Sequence, residues 1–340
     1  MPDRDMIRNR LLAVITALLV VAGLKWSYPV TMPLAVAVFI IAAAWPIKPW
    51  LDRALPSGLS YLVTILVLFV IFGGFAAAVY FAMSQVVQTF IQQQAQFQQL
   101  YDSYSAWATE QGLTIPGGRN SYSRLISIVE AVLARVYTVL GYLGFIAVLV
   151  TLGLPEVPAF RQKVRDRLHH IDKRELFDTV EQIAARFRSY IGMTTITSVI
   201  TGVASAVWAL AIGLDLALVW GVLNFLLNYI PVIGNIVGIL PPTLYAVIQF
   251  QNLTMPVVIF LGYAVIQISI SNFLYPWLQG RGLSLSPVAI VVALAFWGWV
   301  WGIAGALVAV PLTATLVIIC EHFRSTEWIA KLLSKGRTDS

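Results

Sequence analysis

The sequence predicts an all-α polytopic membrane protein. It should carry about eight transmembrane helices, with broken or re-entrant hairpin elements in the C-terminal half. Three observations carry that prediction. The chain of 340 residues is 59% hydrophobic and 11% charged, against roughly 25% charged in an ordinary soluble domain. Its mean hydropathy is +0.81. Residues 189–320 contain only two charged side chains, Asp215 and Arg281. That uncharged stretch also interrupts itself with proline and glycine. In lipid such breaks cost free energy unless the freed backbone groups are paired or line a cavity, and they often mark a translocation pathway.

Taken in order, residues 1–83 read as three membrane helices. Arg4, Arg8 and Arg10 precede an apolar run, as in a signal peptide. A second apolar run follows without a small-residue cleavage site, so the first is read as a retained span. Span 1 covers about 11–27, with Arg10 and Lys25 able to snorkel outward. Tyr28-Pro29 turns the chain into span 2, about 30–47, and the two form a tight helical hairpin. Span 2 ends in Trp45-Pro46-Ile47-Lys48-Pro49-Trp50, a membrane-edge composition. Span 3 covers about 59–83.

Residues 84–127 shift in character. Eight glutamines lie between Gln85 and Gln99, with Val86, Val87, Phe90, Ile91, Phe97 and Leu100 at roughly helical spacing. This is an amphipathic outer segment, either lying at the interface or against a neighbouring subunit, or gathering substrate. Residues 128–154 hold membrane helix 4. Residues 155–188 are a basic cytoplasmic segment with eight Lys or Arg and six acids. Basic short loops face the cytoplasm. Residues 321–340 form a tail with Arg324, Lys331, Lys335 and Arg337, which puts both termini inside and requires an even number of crossings.

Residues 189–320 read as the transport core. Thr194, Thr197, Ser198, Thr201 and Ser205 make a hydroxyl stripe in span 5, for packing or for lining a pathway. Asn224 and Asn228 are four apart and share a helix face. Pro231 should end that helix at Tyr229-Ile230. Gly234 and Gly238 form a G-x-x-x-G step for close helix contact, with Asn235 between them, and Pro241-Pro242 should break the chain again. In span 7, about 257–275, Gln267 and Ser271 share a face, with Asn272 beside them. Arg281, flanked by glycines, is an interfacial anchor or a ligand for an anionic or polyol group. Residues 288–320 exceed one ordinary span and carry Gly298, Gly302, Gly305 and Pro311. They read as a hairpin, with a re-entrant or short arm and then a span from about 302. The candidate substrate pathway is therefore Asn224, Asn228, Tyr229, Pro231, Gly234, Asn235, Gln267, Asn272 and Arg281. The candidate hinge and packing positions are Gly238, Pro241, Pro242, Gly298, Gly302, Gly305 and Pro311.

Several function classes find no support. The lone Cys320 excludes an intramolecular disulfide and a thiolate metal cluster, and three scattered histidines do not suggest a metal site. Neither a metal nor a cofactor is expected. The net charge of +6 is explained by basic loops rather than by nucleic acid. There is no phosphate-binding G-x-x-x-x-G-K-[ST], no H-E-x-x-H and no G-x-S-x-G, so an enzyme is not expected. No acid lies deep within the spans, which counts against a carboxylate proton relay. No internal inverted repeat is visible residue by residue.

Asn228-Tyr-Ile-Pro231-Val-Ile-Gly234 with Pro241-Pro242 resembles the autoinducer-2 exporter family of bacterial membrane proteins. So do Gly280-Arg-Gly-Leu-Ser-Leu-Ser-Pro287, Phe296-Trp-Gly-Trp299 and Gly305-Ala-Leu-Val-Ala-Val-Pro311-Leu-Thr313. The first hairpin, the large outer segment and the basic loop match the family's layout as well. The resemblance implies an eight-span permease of the bacterial inner membrane, forming a homo-oligomer, with a pentamer among the forms. It implies export of the quorum-sensing compound autoinducer-2 or a related solute. Some members are assigned as sodium(lithium)/proton antiporters. The family offers no shared catalytic set, so the site residues rest on the chain's own pattern. The expected function is a secondary transporter exporting a small polar metabolite, whose partners are the lipid bilayer and that solute. The alternatives are a sodium(lithium)/proton antiporter and a non-transporting membrane scaffold acting through the Gln-rich segment.

Overall fold

The computed structural model describes residues 2–45, 51–112, 121–167, 173–279, 285–322 and 326–334. These residues are almost entirely helical. The helices are α1 (Pro2–Trp26), α2 (Tyr28–Ala44), α3 (Ser57–Gln92) and α4 (Gln94–Glu110). Next come α5 (Ser121–Arg167), α6 (Lys173–Ala211), α7 (Ala217–Leu227) and α8 (Ile233–Phe250). α9 (Thr254–Ser269) runs through a π-helical turn (Ile270–Leu274) into α10 (Tyr275–Gln279). α11 (Pro287–His322) and α12 (Glu327–Leu333) complete the order. Among the described residues there is no strand, only the isolated antiparallel bridge between Leu285 and Ser334.

Six of these helical stretches are long and apolar enough to cross a membrane, and a seventh span results if α1 and α2 count as one bent span. The expected eight is therefore an approximate count, for two physical reasons. α1 and α2 meet at 95°, and Ser27 alone separates them, which leaves no loop in which to reverse direction. Instead Ser27 closes the bend by donating its hydroxyl to the Gly23 carbonyl at 2.6 Å. α7 has 11 residues, about 16 Å at 1.5 Å per residue, roughly half the hydrocarbon core.

The chain divides into two compact units. One comprises residues 1–65, 145–190 and 281–340; the other comprises residues 66–144 and 191–280. In the first, Phe39 of α2 packs on Phe187 of α6, with ring centroids 4.8 Å apart. Glu181 takes Arg188 at 3.1 Å and Arg161 at 3.4 Å. Arg188 also caps α2 by donating to the Ala42 carbonyl. α11 is not one straight helix. Trp297 Nε1 donates to Thr313 Oγ1 at 3.1 Å, although 16 residues of straight helix would span about 24 Å. The chain folds back at Gly302, whose φ of 64° and ψ of −146° lie close to a region essentially reserved for glycine. Gly305 lets the arms close, because a Cβ there would meet the Trp297 carbonyl and Trp301 Cβ. A Cβ at Gly298 would only touch Ala306 at 4.0 Å. The hairpin expected over residues 288–320 is thus present, with Gly302 as its tip. Pro311 continues within its second arm.

The second unit has its core where α6, α7, α8 and α9 meet. Trp220, Tyr245, Ile259 and Tyr263 are fully or almost fully buried there. Gln249 seals the turn after α6 by accepting the Asp215 N–H at 2.9 Å and donating to the Gly213 carbonyl at 2.8 Å. α7 and α8 form a second hairpin, closed around residues 228–232.

Candidate functional site

The turn between α7 and α8 has a chemical cause. Pro231 cannot continue the helix, and its carbonyl accepts the Ile233 N–H at 2.6 Å across a single residue. Val232 between them stands at φ 63° and ψ −58°, the strained, positive-φ form of γ-turn. Gly234 makes the return possible, since a Cβ there would overlap the Leu227 carbonyl. Gly238, one helical turn on, faces α7 in the same way, and a methyl there would collide with Asn224 Oδ1. The G-x-x-x-G step thus faces its own hairpin partner.

Pro241 and Pro242 do not break the chain as expected, because α8 runs continuously through both. Pro242 has no N–H, so the carbonyl four residues earlier, that of Gly238, loses its helical donor. Asn224 Nδ2 donates to it at 3.2 Å, and also to the Trp220 carbonyl at 3.0 Å. Gln267 Nε2 then donates to Asn224 Oδ1 at 2.9 Å. Asn224 is fully buried and Gln267 nearly so. This amide pair offsets the donor lost at Pro242, since an unpaired buried carbonyl costs about 1–3 kcal/mol.

The other polar residues sit closer to the tip and are half-buried. Asn228 Nδ2 donates to Ser198 Oγ at 3.0 Å and to Thr197 Oγ1 at 3.4 Å. The Tyr229 hydroxyl donates to Thr195 Oγ1 at 3.0 Å, while its ring stands edge-on to Phe75 and Phe225. Asn235 Nδ2 donates to Ser271 Oγ at 2.6 Å. Ser271 lies in the π-helical turn, where Tyr275 bonds back to the Ile270 carbonyl just before Pro276; such turns frequently accompany functional sites. The hydroxyl stripe of α6 is buried from Thr194 to Ser205. It both packs and, through Thr197 and Ser198, receives Asn228.

Of the expected pathway residues, the structure joins Asn224 to Gln267, and it ties Asn228, Tyr229 and Asn235 to hydroxyls of α6 and the π-helical turn. Asn272 is exposed and makes no hydrogen bond to this cluster. Arg281 lies outside the described residues. Sequence reasoning missed Thr195 as a partner, because Thr195 falls off the stripe's spacing. It also missed Gln93, whose Nε2 donates to the Tyr245 hydroxyl at 3.2 Å; in the sequence that side chain is one of eight similar glutamines. The cluster keeps hydrogen-bonding capacity of both kinds, since Asn235 Nδ2 and Gln267 Nε2 each use one of two N–H groups. Among the described residues Gln267 Oε1 is buried without a partner, and none of them donates a hydrogen bond to Asn228 Oδ1 or Asn235 Oδ1. Residues 216–280 contain no Asp, Glu, Lys or Arg. The cluster is thus neutral, polar and set among apolar helices.

Comparison with known proteins bears on these features. Residues 14–325 match the family model described as AI-2E family transporter. Over 325 residues the chain is 26% identical to "AI-2 transport protein TqsA" of Escherichia coli strain K12, covering 93% of this chain and 92% of that one. Over 338 residues it is 25% identical to a "Putative transport protein" of Haemophilus influenzae, with 96% of each chain covered.

Proposed function

Since the chain belongs to the AI-2E family of transporters, we propose that it is a secondary transporter exporting a small, uncharged, hydroxyl-bearing metabolite. Autoinducer-2 or a related solute is the first such metabolite to test. The observation that carries this reading is the neutral cluster of amides and hydroxyls beside the α7–α8 tip. Amides and hydroxyls with bonding capacity to spare, held at a helix break, suit a solute that brings hydroxyls of its own. An anionic solute would need a counter-charge in a medium where isolated charges are very costly, and residues 216–280 provide none. Asn228, Tyr229 and Asn235 contact the solute, while Asn224 and Gln267 keep the hairpin closed beneath them. Basic residues at 4–10, 155–188 and 324–337 support an orientation with both termini on the cytoplasmic side of the inner membrane.

The test is efflux from proteoliposomes loaded with a panel of labelled solutes, including autoinducer-2, neutral polyols and monovalent cations. Asn228→Ala and Asn235→Ala should each lower polyol efflux by roughly tenfold or more, about 1.4 kcal/mol in the barrier, while the protein keeps its melting temperature. Wild-type rates in both variants would remove these residues from the pathway.

A further inference from the structure

α12 begins at the end of a membrane helix. Thr326 Oγ1 donates to the Cys320 carbonyl in the last turn of α11 at 3.1 Å, and the Ile329 N–H bonds back to the Thr326 carbonyl at 2.9 Å. The first turn of α12 is therefore held within one hydrogen bond of that helix. Its inner face is occupied: Ala330 is almost fully buried, the Leu333 carbonyl accepts the Ser286 N–H at 2.9 Å, and Ser334 bridges Leu285. Ser286 also caps α11, its hydroxyl accepting the Ala289 N–H at 3.1 Å. The outer face is bare. Trp328 and Leu332, one helical turn apart, are 64% and 71% exposed. Lys331 stands beside them, its ammonium exposed and 2.7 Å from Glu327. Residues 328–338 hold three basic residues and no acid.

A Trp, a Leu and a Lys on one helical face, fixed to the end of a membrane helix, have the composition of the lipid headgroup layer. Seven residues would bind a bilayer weakly alone. Attachment to α11 makes the association intramolecular and raises the effective concentration of the surface. The basic stretch matches an anionic leaflet, which attracts juxtamembrane Lys and Arg.

We propose that α12 lies in the headgroup layer of an anionic phospholipid surface, with Trp328 and Leu332 turned toward the acyl chains and Lys331 among the phosphates. Through Leu333, Ser334, Leu285 and Ser286 it is the footing of the first arm of the α11 hairpin. The footing fixes where that arm enters the bilayer, whatever solute the protein carries.

The test uses the full-length chain with Cys320→Ser and a nitroxide attached at Leu332→Cys, in nanodiscs with and without phosphatidylglycerol. The label should be several-fold more accessible to oxygen than to a water-soluble nickel chelate, and more so with the anionic lipid. Nickel access equal to or above oxygen access in both lipids overturns the proposal. Spin–spin broadening that disappears on dilution with unlabelled protein also overturns it, because a second copy then covers the face. The footing is read separately by hydrogen exchange. In the Trp328→Ala/Leu332→Ala variant, exchange at the amides of Ser286 and Ile290 should rise tenfold or more. Unchanged exchange there rejects the footing.

Discussion

Pro242 and Asn224 form a thermodynamic pair, although 18 positions separate them in sequence. The proline removes the N–H that would have served the Gly238 carbonyl, and the asparagine supplies a substitute. Replacing Asn224 by Leu keeps the volume roughly constant but strands that carbonyl and the Gln267 Nε2. We expect a loss of about 1–3 kcal/mol for such a buried polar group. Pro242→Ala restores a backbone N–H aimed at the same carbonyl. In a double-mutant cycle, Asn224→Leu should therefore cost less in the Pro242→Ala background, with a coupling of about 0.5–3 kcal/mol. Thermal unfolding of the detergent-solubilised protein measures it, and additive effects would show that the amide serves something other than the proline. Two polar residues four apart on a helix were legible as a shared face. Which of them was structural was not, because that depends on a carbonyl 14 residues away in sequence.

At the scale of elements, the two hairpins solve one problem by different routes. In α11 the tip is Gly302, which adopts its backbone angles without steric conflict. In α7–α8 the equivalent turn falls on Val232, a β-branched residue for which positive φ is a genuine outlier, held there by Pro231 and by the contact of Gly234 with Leu227. Strain of this kind costs about 1–3 kcal/mol and persists where the surroundings over-determine it. It is stored beside the candidate site. Gly302→Ala should bring a comparable penalty, about 1–3 kcal/mol, to a tip that now has none. Gly298→Ala, in the first arm with only ordinary contact nearby, should be neutral or slightly stabilising, as alanine is by about 0.5–1 kcal/mol in a helix interior. A melting-temperature comparison of the two variants separates a glycine needed for its backbone from one that is merely present. Equal effects would mean that the chain does not reverse at Gly302.

At the scale of the whole molecule, composition and proline spacing made the membrane class and both hairpins legible, since they record what lipid excludes. The two hairpins share a spacing of 70 residues that was not visible residue by residue. Val232 and Gly302 are both positive-φ tips, and the same offset relates Pro241 to Pro311 and Thr243 to Thr313. Helix lengths complete the argument. α3 has 36 residues, about 54 Å at 1.5 Å per residue, against a hydrocarbon core of about 30 Å. Tilt absorbs only part of this excess. The densest apolar run of α3 ends at Met83, and glutamines collect from Gln85 onward into α4. The excess therefore projects into water at the α4 end. On the proposed orientation, with both termini inside, that end faces outward. In a Cys320→Ser background, a membrane-impermeant maleimide added to intact cells should modify a cysteine placed at Gln99. It should spare one at Val70 within the core and one at Glu327 near the C-terminus. Labelling at Glu327 but not Gln99 would invert the topology, and with it the direction in which the site must move its solute.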